Sequence, residues 1–118
     1  MKNAVVTGGA GFIGFYILDV NGESQNYPTE ISAGDEAEVI LGIVNNEQEK
    51  TSYRIEITID GVKYKEAGPI LLENNAKWED VIGFSITKAG NEQKVEFLLF
   101  KDGQPEAYRS NHLWINVR

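Results

Sequence analysis

His112 is the only histidine in the chain, and there is no cysteine. One imidazole excludes multi-histidine metal sites, and the lack of thiols excludes thiolate zinc sites, cysteine nucleophiles and disulfides together. A catalytic histidine needs a nucleophile beside it and a carboxylate behind it. Ser110 and Ser85 could serve in composition, yet no Gly-x-Ser-x-Gly elbow exposes a serine at a strand-to-helix turn. Period-two spacing instead sets His112 on one side of an extended segment with Tyr108, Ser110, Trp114 and Asn116. Aromatic rings with polar tips on a sheet face suit recognition of a sugar or a protein. Tyr108, His112 and Trp114 are therefore the candidate binding face, with a merely solvated or packed sheet face as the alternative. Asp19-Val20-Asn21-Gly22-Glu23 alternates oxygen ligands as calcium loops do, but its glycine falls too early for one and no helices flank it. An ordinary turn is the better reading, and no metal is expected. No carboxylate pair suggests glycoside hydrolysis.

Gly8, Gly11 and Gly14 have another chemical use. After an apolar strand, glycines so spaced let a turn approach a pyrophosphate at a helix N-terminus. Met1 to Gly14 closely resembles the opening of the extended short-chain dehydrogenases, the nucleotide-sugar epimerases and dehydratases. The resemblance implies a Rossmann strand over Lys2 to Thr7 and an NAD cofactor. The chain then departs from that pattern. Where a helix should run, Phe15-Tyr16-Ile17-Leu18-Asp19-Val20 is aromatic and β-branched, followed by a turn at Asn21-Gly22 and a break at Pro28. Asp35 and Glu36 lie near the distance of the family's ribose-binding acid, but in a turn before a strand. No tyrosine has a lysine four residues on, so the family's catalytic pair is missing. We therefore expect no enzyme and no cofactor. The alternative is a fragment or relative of an NAD-dependent, UDP-glucose 4-epimerase-like enzyme, carried by residues 1–14 alone.

The formal net charge is −7, from 18 acidic and 11 basic residues. With no cluster of Lys or Arg, such a chain repels phosphate backbones, and nucleic acid is not an expected partner. The uncharged stretch from Asn3 to Leu18 carries four glycines, has no cleavage site after it and is too short to span a bilayer. The expectation is no signal peptide and no membrane insertion by this chain.

The elements that must position any site are strands. Gln93 to Gly103 is the organising one: Val95, Phe97 and Leu99 share a side, and a Lys-Asp-Gly turn ends it. Tyr53, Ile55, Ile57 and Ile59 alternate with Arg54, Glu56 and Thr58, and Asp60-Gly61 signals a two-residue hairpin into Val62-Lys63-Tyr64-Lys65. Gly68-Pro69 is expected to end that hairpin, leaving Ile70 to Leu72 as a separate short strand. Ala37 to Val44 is apolar on both faces; Trp78, Ile82, Phe84 and Ile86 share one face; Leu113, Ile115 and Val117 point inward from the last strand. This predicts an all-β, immunoglobulin-like antiparallel β-sandwich of seven or eight strands over residues 15–118. Phe97, Ile57, Leu41, Phe84 and Ile115 lie inside it. Residues 1–14 form a leader, expected as a mobile arm or an added edge strand on its own domain or on a neighbouring copy, so a homodimer through an edge strand is one expected assembly.

Further residues carry a second resemblance. Asn26-Tyr27-Pro28-Thr29, Gly42 to Glu47, Gly68-Pro69-Ile70 with Trp78-Glu79, Lys94 to Gly103 and His112 to Val117 are similar to the C-terminal domain of an uncharacterised archaeal membrane-protein family, domain of unknown function 1616. There an immunoglobulin-like domain follows several transmembrane helices. The resemblance implies a non-catalytic envelope module, for interaction or structure, displayed outside the membrane, with an unknown protein or carbohydrate as partner. Taken without those helices, the chain would be cytoplasmic.

Overall fold

Tyr53, Ile55 and Ile57 are buried while Arg54 and Glu56 between them are partly exposed, the signature of a strand with one side on a core. Such strands stack into two sheets in the computed structural model, which describes residues 5–7, 13–19 and 29–118. Nine strands are present among them: β1 Val5–Thr7, β2 Ile13–Leu18, β3 Glu30–Ile31, β4 Glu36–Asn45, β5 Thr51–Ile59, β6 Val62–Leu72, β7 Lys77–Ser85, β8 Gly90–Lys101 and β9 Arg109–Val117. One sheet runs β1-β9-β8-β5-β6 with β3 also on β9; the other runs β2-β4-β7. All pairings are antiparallel except β3 with β9. This is the expected sandwich.

The core lies between the sheets. Val39, Leu41 and Ile43 from the small sheet meet Ile55, Ile57, Val95, Phe97, Leu113 and Ile115 from the large one. Phe84 and Phe97 make an edge-to-face contact across the gap, with centroids 6.3 Å apart. The five residues expected inside are all buried. Ile40 and Val44, on the other face of β4, are only half covered. The cover there is Tyr16, which lies across Gly42: a Cβ at Gly42 would fall 2.1 Å from the tyrosine Cζ. Its hydroxyl donates to Glu79 Oε2 at 2.5 Å. Burial first, and then that bond, push the phenol up to about 12.

One expectation of the strands needs correction. Ile70 to Leu72 is not a separate strand, because β6 runs unbroken through Gly68-Pro69 and absorbs the extra residues as a bulge between the Tyr53–Ile70 and Ile55–Ala67 pairs. Gly68 permits this with a φ of 132°, and the bond to Pro69 is cis. Proline is tolerated there because β6 is an edge strand. Glu30–Ile31 adds a short parallel strand that period-two spacing does not mark. Of residues 1–14, Val5–Thr7 lies along Ser110 to His112, and β2 starts at Ile13. Gly8 and Gly11 lie outside the described residues, as do Asn21 to Glu23 of the calcium-like turn.

Candidate functional site

On β9, Asn111, Leu113, Ile115 and Val117 are buried, which turns Ser110, His112, Trp114 and Asn116 to the outer face of the large sheet. His112 and Trp114 meet there edge to face, centroids 5.7 Å apart. Directly across on β8 stand Glu96 and Lys94, and the Lys94 ammonium sits 5.9 Å from the Trp114 ring centre. Further over, Arg54 lies on the Phe100 ring at 4.0 Å and pairs with Glu56 at 2.6 Å. The predicted aromatic strip is thus set into a face laced with ion pairs. Trp114 is half-buried, and so is Trp78 on the inner side, because its strand β7 is an edge with no neighbour on one flank.

Tyr108 does not join His112 and Trp114. Period-two counting carried it onto their face, but β9 begins only at Arg109 and Tyr108 still belongs to the preceding turn. Its ring packs against the core instead, with the Lys101 ammonium 4.8 Å and the Arg109 guanidinium carbon 4.2 Å from its centre.

That places Tyr108 in a polar cluster at one end of the sandwich. Glu47, from the β4–β5 loop, accepts from the Tyr53 hydroxyl at 2.5 Å and from Lys101 Nζ at 2.6 Å. Burial alone would raise this carboxyl; the Lys101 and Tyr53 hydrogen bonds, with the Arg109 charge, outweigh burial and hold it below the usual range. The same Glu47 bond raises Lys101 against a smaller opposing effect of burial, and burial followed by the Glu47 bond raises Tyr53. Beside them Asn45 is fully buried: its Nδ2 donates to the Glu49 and Leu72 carbonyls, both at 2.9 Å, and its Oδ1 accepts the Glu47 N–H. Three loops are tied together here. The sequence shows only a polar string, Asn45 to Lys50, with no periodicity to mark which members turn inward.

The opposite end is open. Between the β5–β6 hairpin and the β7–β8 turn lies a hollow of about 430 Å³, within the range of small-ligand sites. Ile59, Ile86 and Gln93 floor it, and Val62 and Tyr64 wall it. Val62, 70% exposed, and Tyr64 are two of the most exposed large apolar side chains described. A second bulge puts them there: Ile57 pairs with Lys65 but Thr58 with Lys63, leaving Tyr64 as the extra residue. Tyr64 and Lys65 then both reach the facing edge, where the Tyr64 hydroxyl accepts the Ser85 N–H at 3.2 Å and Lys65 Nζ donates to the Gly83 carbonyl at 2.8 Å. Sequence reasoning missed this hollow; the available signal was Val62 and Tyr64 alternating with lysines straight after a hairpin turn.

No group of three or more His, Asp or Glu side chains placed to hold a metal occurs among the described residues. No curated protein matches the chain significantly. Among solved structures, the solution structure of the CARDB domain of PF1109 from Pyrococcus furiosus matches with a TM-score of 0.67 at 12% identity, covering 99% of this chain and 97% of that one. The crystal structure of the same domain, in complex with di-metal ions, matches with a TM-score of 0.61 at 11% identity, covering 99% and 96%. At these identities the likeness shows the fold alone. None of these matches supports a dinucleotide-binding segment at residues 1–14. A family model covers residues 7–116, and the chain belongs to that family, described as Domain of unknown function (DUF1616).

Proposed function

We propose that this domain is a non-catalytic recognition module working at the outside of a cell envelope, with a protein or a carbohydrate as its partner. One contrast supports the reading. The buried polar side chains Asn45 and Gln93 spend their amide donors closing loops, while large apolar side chains such as Val62, Leu71 and Val81 are left in water. Polar groups gathered inside a cleft would favour chemistry; apolar groups gathered outside favour contact. The envelope location rests on the family resemblance in the sequence. The metal ions of the Pyrococcus domain are not carried over, since no group of three or more His, Asp or Glu side chains that could hold a metal occurs among the described residues.

Self-association through a sheet edge is the weaker route. On β7 the Asp80 carboxylate takes the Val81 N–H, and Lys65 and Tyr64 take Gly83 and Ser85. β6 carries a proline and two bulges, and β1 and β3 are short. Blunted edges of this kind resist strand addition. Calorimetric titration with NAD tests the non-catalytic reading. No saturable heat is expected, and micromolar binding would overturn it in favour of the epimerase alternative.

A further inference from the structure

We infer that the hollow between the β5–β6 hairpin and the β7–β8 turn is a peptide-binding site, taking a segment with an aliphatic side chain beside a carboxylate. The inference rests on the recognition reading and gives it a place and a ligand class.

Three features of the hollow each ask for one part of such a ligand. The first is the floor. Ile86 is buried and Ile59 packs against the core, so an aliphatic side chain entering between Val62 and Tyr64 would continue the sandwich core outward. Apolar surface taken from water there favours binding, and the exposed face of Val62 is covered in the same step.

The second is Gln93. Its side chain is nearly fully buried, and its Nε2 is identified by two carbonyls it donates to, Lys88 at 2.7 Å and Gly90 at 3.3 Å. Gln93 lines the hollow, and none of the described residues donates to its amide oxygen. That oxygen is not among the buried atoms left without a partner, so it is open to solvent, and the N–H of a peptide backbone can replace water there.

The third is charge. Lys63 and Lys88 stand on the lining, where Asp60 is the one acidic side chain, and Asp60 is engaged with the Lys94 N–H at 2.8 Å. Lys63 is shared with Glu66 at 2.9 Å. That leaves Lys88 as the one lining cation that no described residue pairs with, and it is the group a ligand carboxylate would meet. Ile59, Val62 and Ile86 give the hollow more branched aliphatic than aromatic lining, with Tyr64 its one ring, which favours a peptide side chain over a sugar.

The test is an amide NMR titration of the whole chain with two blocked tripeptides, acetyl-Glu-Leu-Glu-amide and acetyl-Lys-Leu-Lys-amide, and with an oligogalacturonate as the acidic sugar. The acidic peptide should move the signals of residues 59–64 and 85–88 and the Gln93 side-chain amide, with millimolar affinity that weakens as salt is added. The basic peptide should not. Lys88→Glu should weaken binding roughly three- to tenfold and Val62→Asp by about tenfold or more. Both positions are exposed, so the variants keep the parent melting temperature and lost binding cannot be blamed on unfolding. Shifts with the sugar alone would overturn the peptide class. Shifts confined to His112 and Trp114 would overturn the site and leave the recognition reading standing. No shift with any probe would overturn this inference, while the recognition reading stands or falls on the NAD titration.

Discussion

The two ends of the sandwich are finished in opposite ways. At one, Asn45, Glu47, Tyr53 and Lys101 close the gap between sheets with short hydrogen bonds and an ion pair. At the other, the hairpin and the β7–β8 turn stand apart over apolar walls and one buried amide. The polar end is where a search for chemistry would begin, since it gathers a carboxylate, an ammonium, a guanidinium and two phenols. Yet Glu47, Tyr53 and Lys101 are turned on one another and fasten loops, and Arg109 lies against the Tyr108 ring. The bland end has the open acceptor and the uncovered apolar surface. Titratable groups in a cluster can be structure, and a ligand site can be poor in them.

Substitutions can break this contrast. Phe97→Ala sets the common scale, since it empties the centre between both ends and should cost about 3–5 kcal/mol, while Glu96→Ala on the outer face should cost under ~0.5 kcal/mol. Equal shifts of the two urea midpoints would sink the assignment of faces. Next comes Asn45→Ala, which strands the Leu72 carbonyl and the Glu47 N–H and should cost about 2–4 kcal/mol. Its counterpart Val62→Ala at the open end should stay within about 0.5 kcal/mol. A costly Val62 change would mean that the hollow is a structural joint.

The third test is pH. Glu47 titrates below its ordinary 4.5 in the folded chain, so its contribution is complete above that value and is lost as pH falls through the folded one. Glu47→Gln should lower stability by about 1 kcal/mol at neutral pH and flatten the acid limb of the stability profile. An unchanged acid limb would show that the cluster does not hold its charge. The smallest effect is expected from Tyr64→Ala with Lys65→Ala, under about 1 kcal/mol in stability. That pair should instead uncover Gly83 and Ser85 on β7 and cause concentration-dependent association in sedimentation. A strictly monomeric variant would show that the edge is guarded by something else.

The strands were legible because burial imposes period two, and Ile55, Ile57, Val95, Phe97 and Leu113 display it without interruption. The Asp60-Gly61 hairpin was legible because Asp60 and Gly61 both take a positive φ, 49° and 84°, as a tight turn of this hand requires. The bulges at Tyr64 and at Gly68-Pro69 were not, since a bulge is a mismatch between two strands and one strand alone does not reveal it. Tyr108 was misplaced for a related reason: alternation says which residues share a face, but not where the strand starts. Asn45 and Gln93 look like any loop residues until the loops close over them.

The parallel contact of β3 with β9 also bears on how the chain would respond to force. Glu30 and Ile31 lie beside Asn116 and Val117, the Asn116 and Arg118 amides donate to Thr29 and Ile31, Ala33 donates to Arg118, and Arg118 pairs with Glu30. Antiparallel β1, pulled from its N-terminal side against the C-terminal end of β9, would unzip one pair at a time. Parallel β3 must slide along β9 with every bond loaded at once, which makes that short strand a shear lock on the last one. Single-molecule stretching should therefore show a weak early release followed by a stronger event, and a single low-force rip would contradict it. Loaded from its two ends, the domain would give up its first strand and still keep its core.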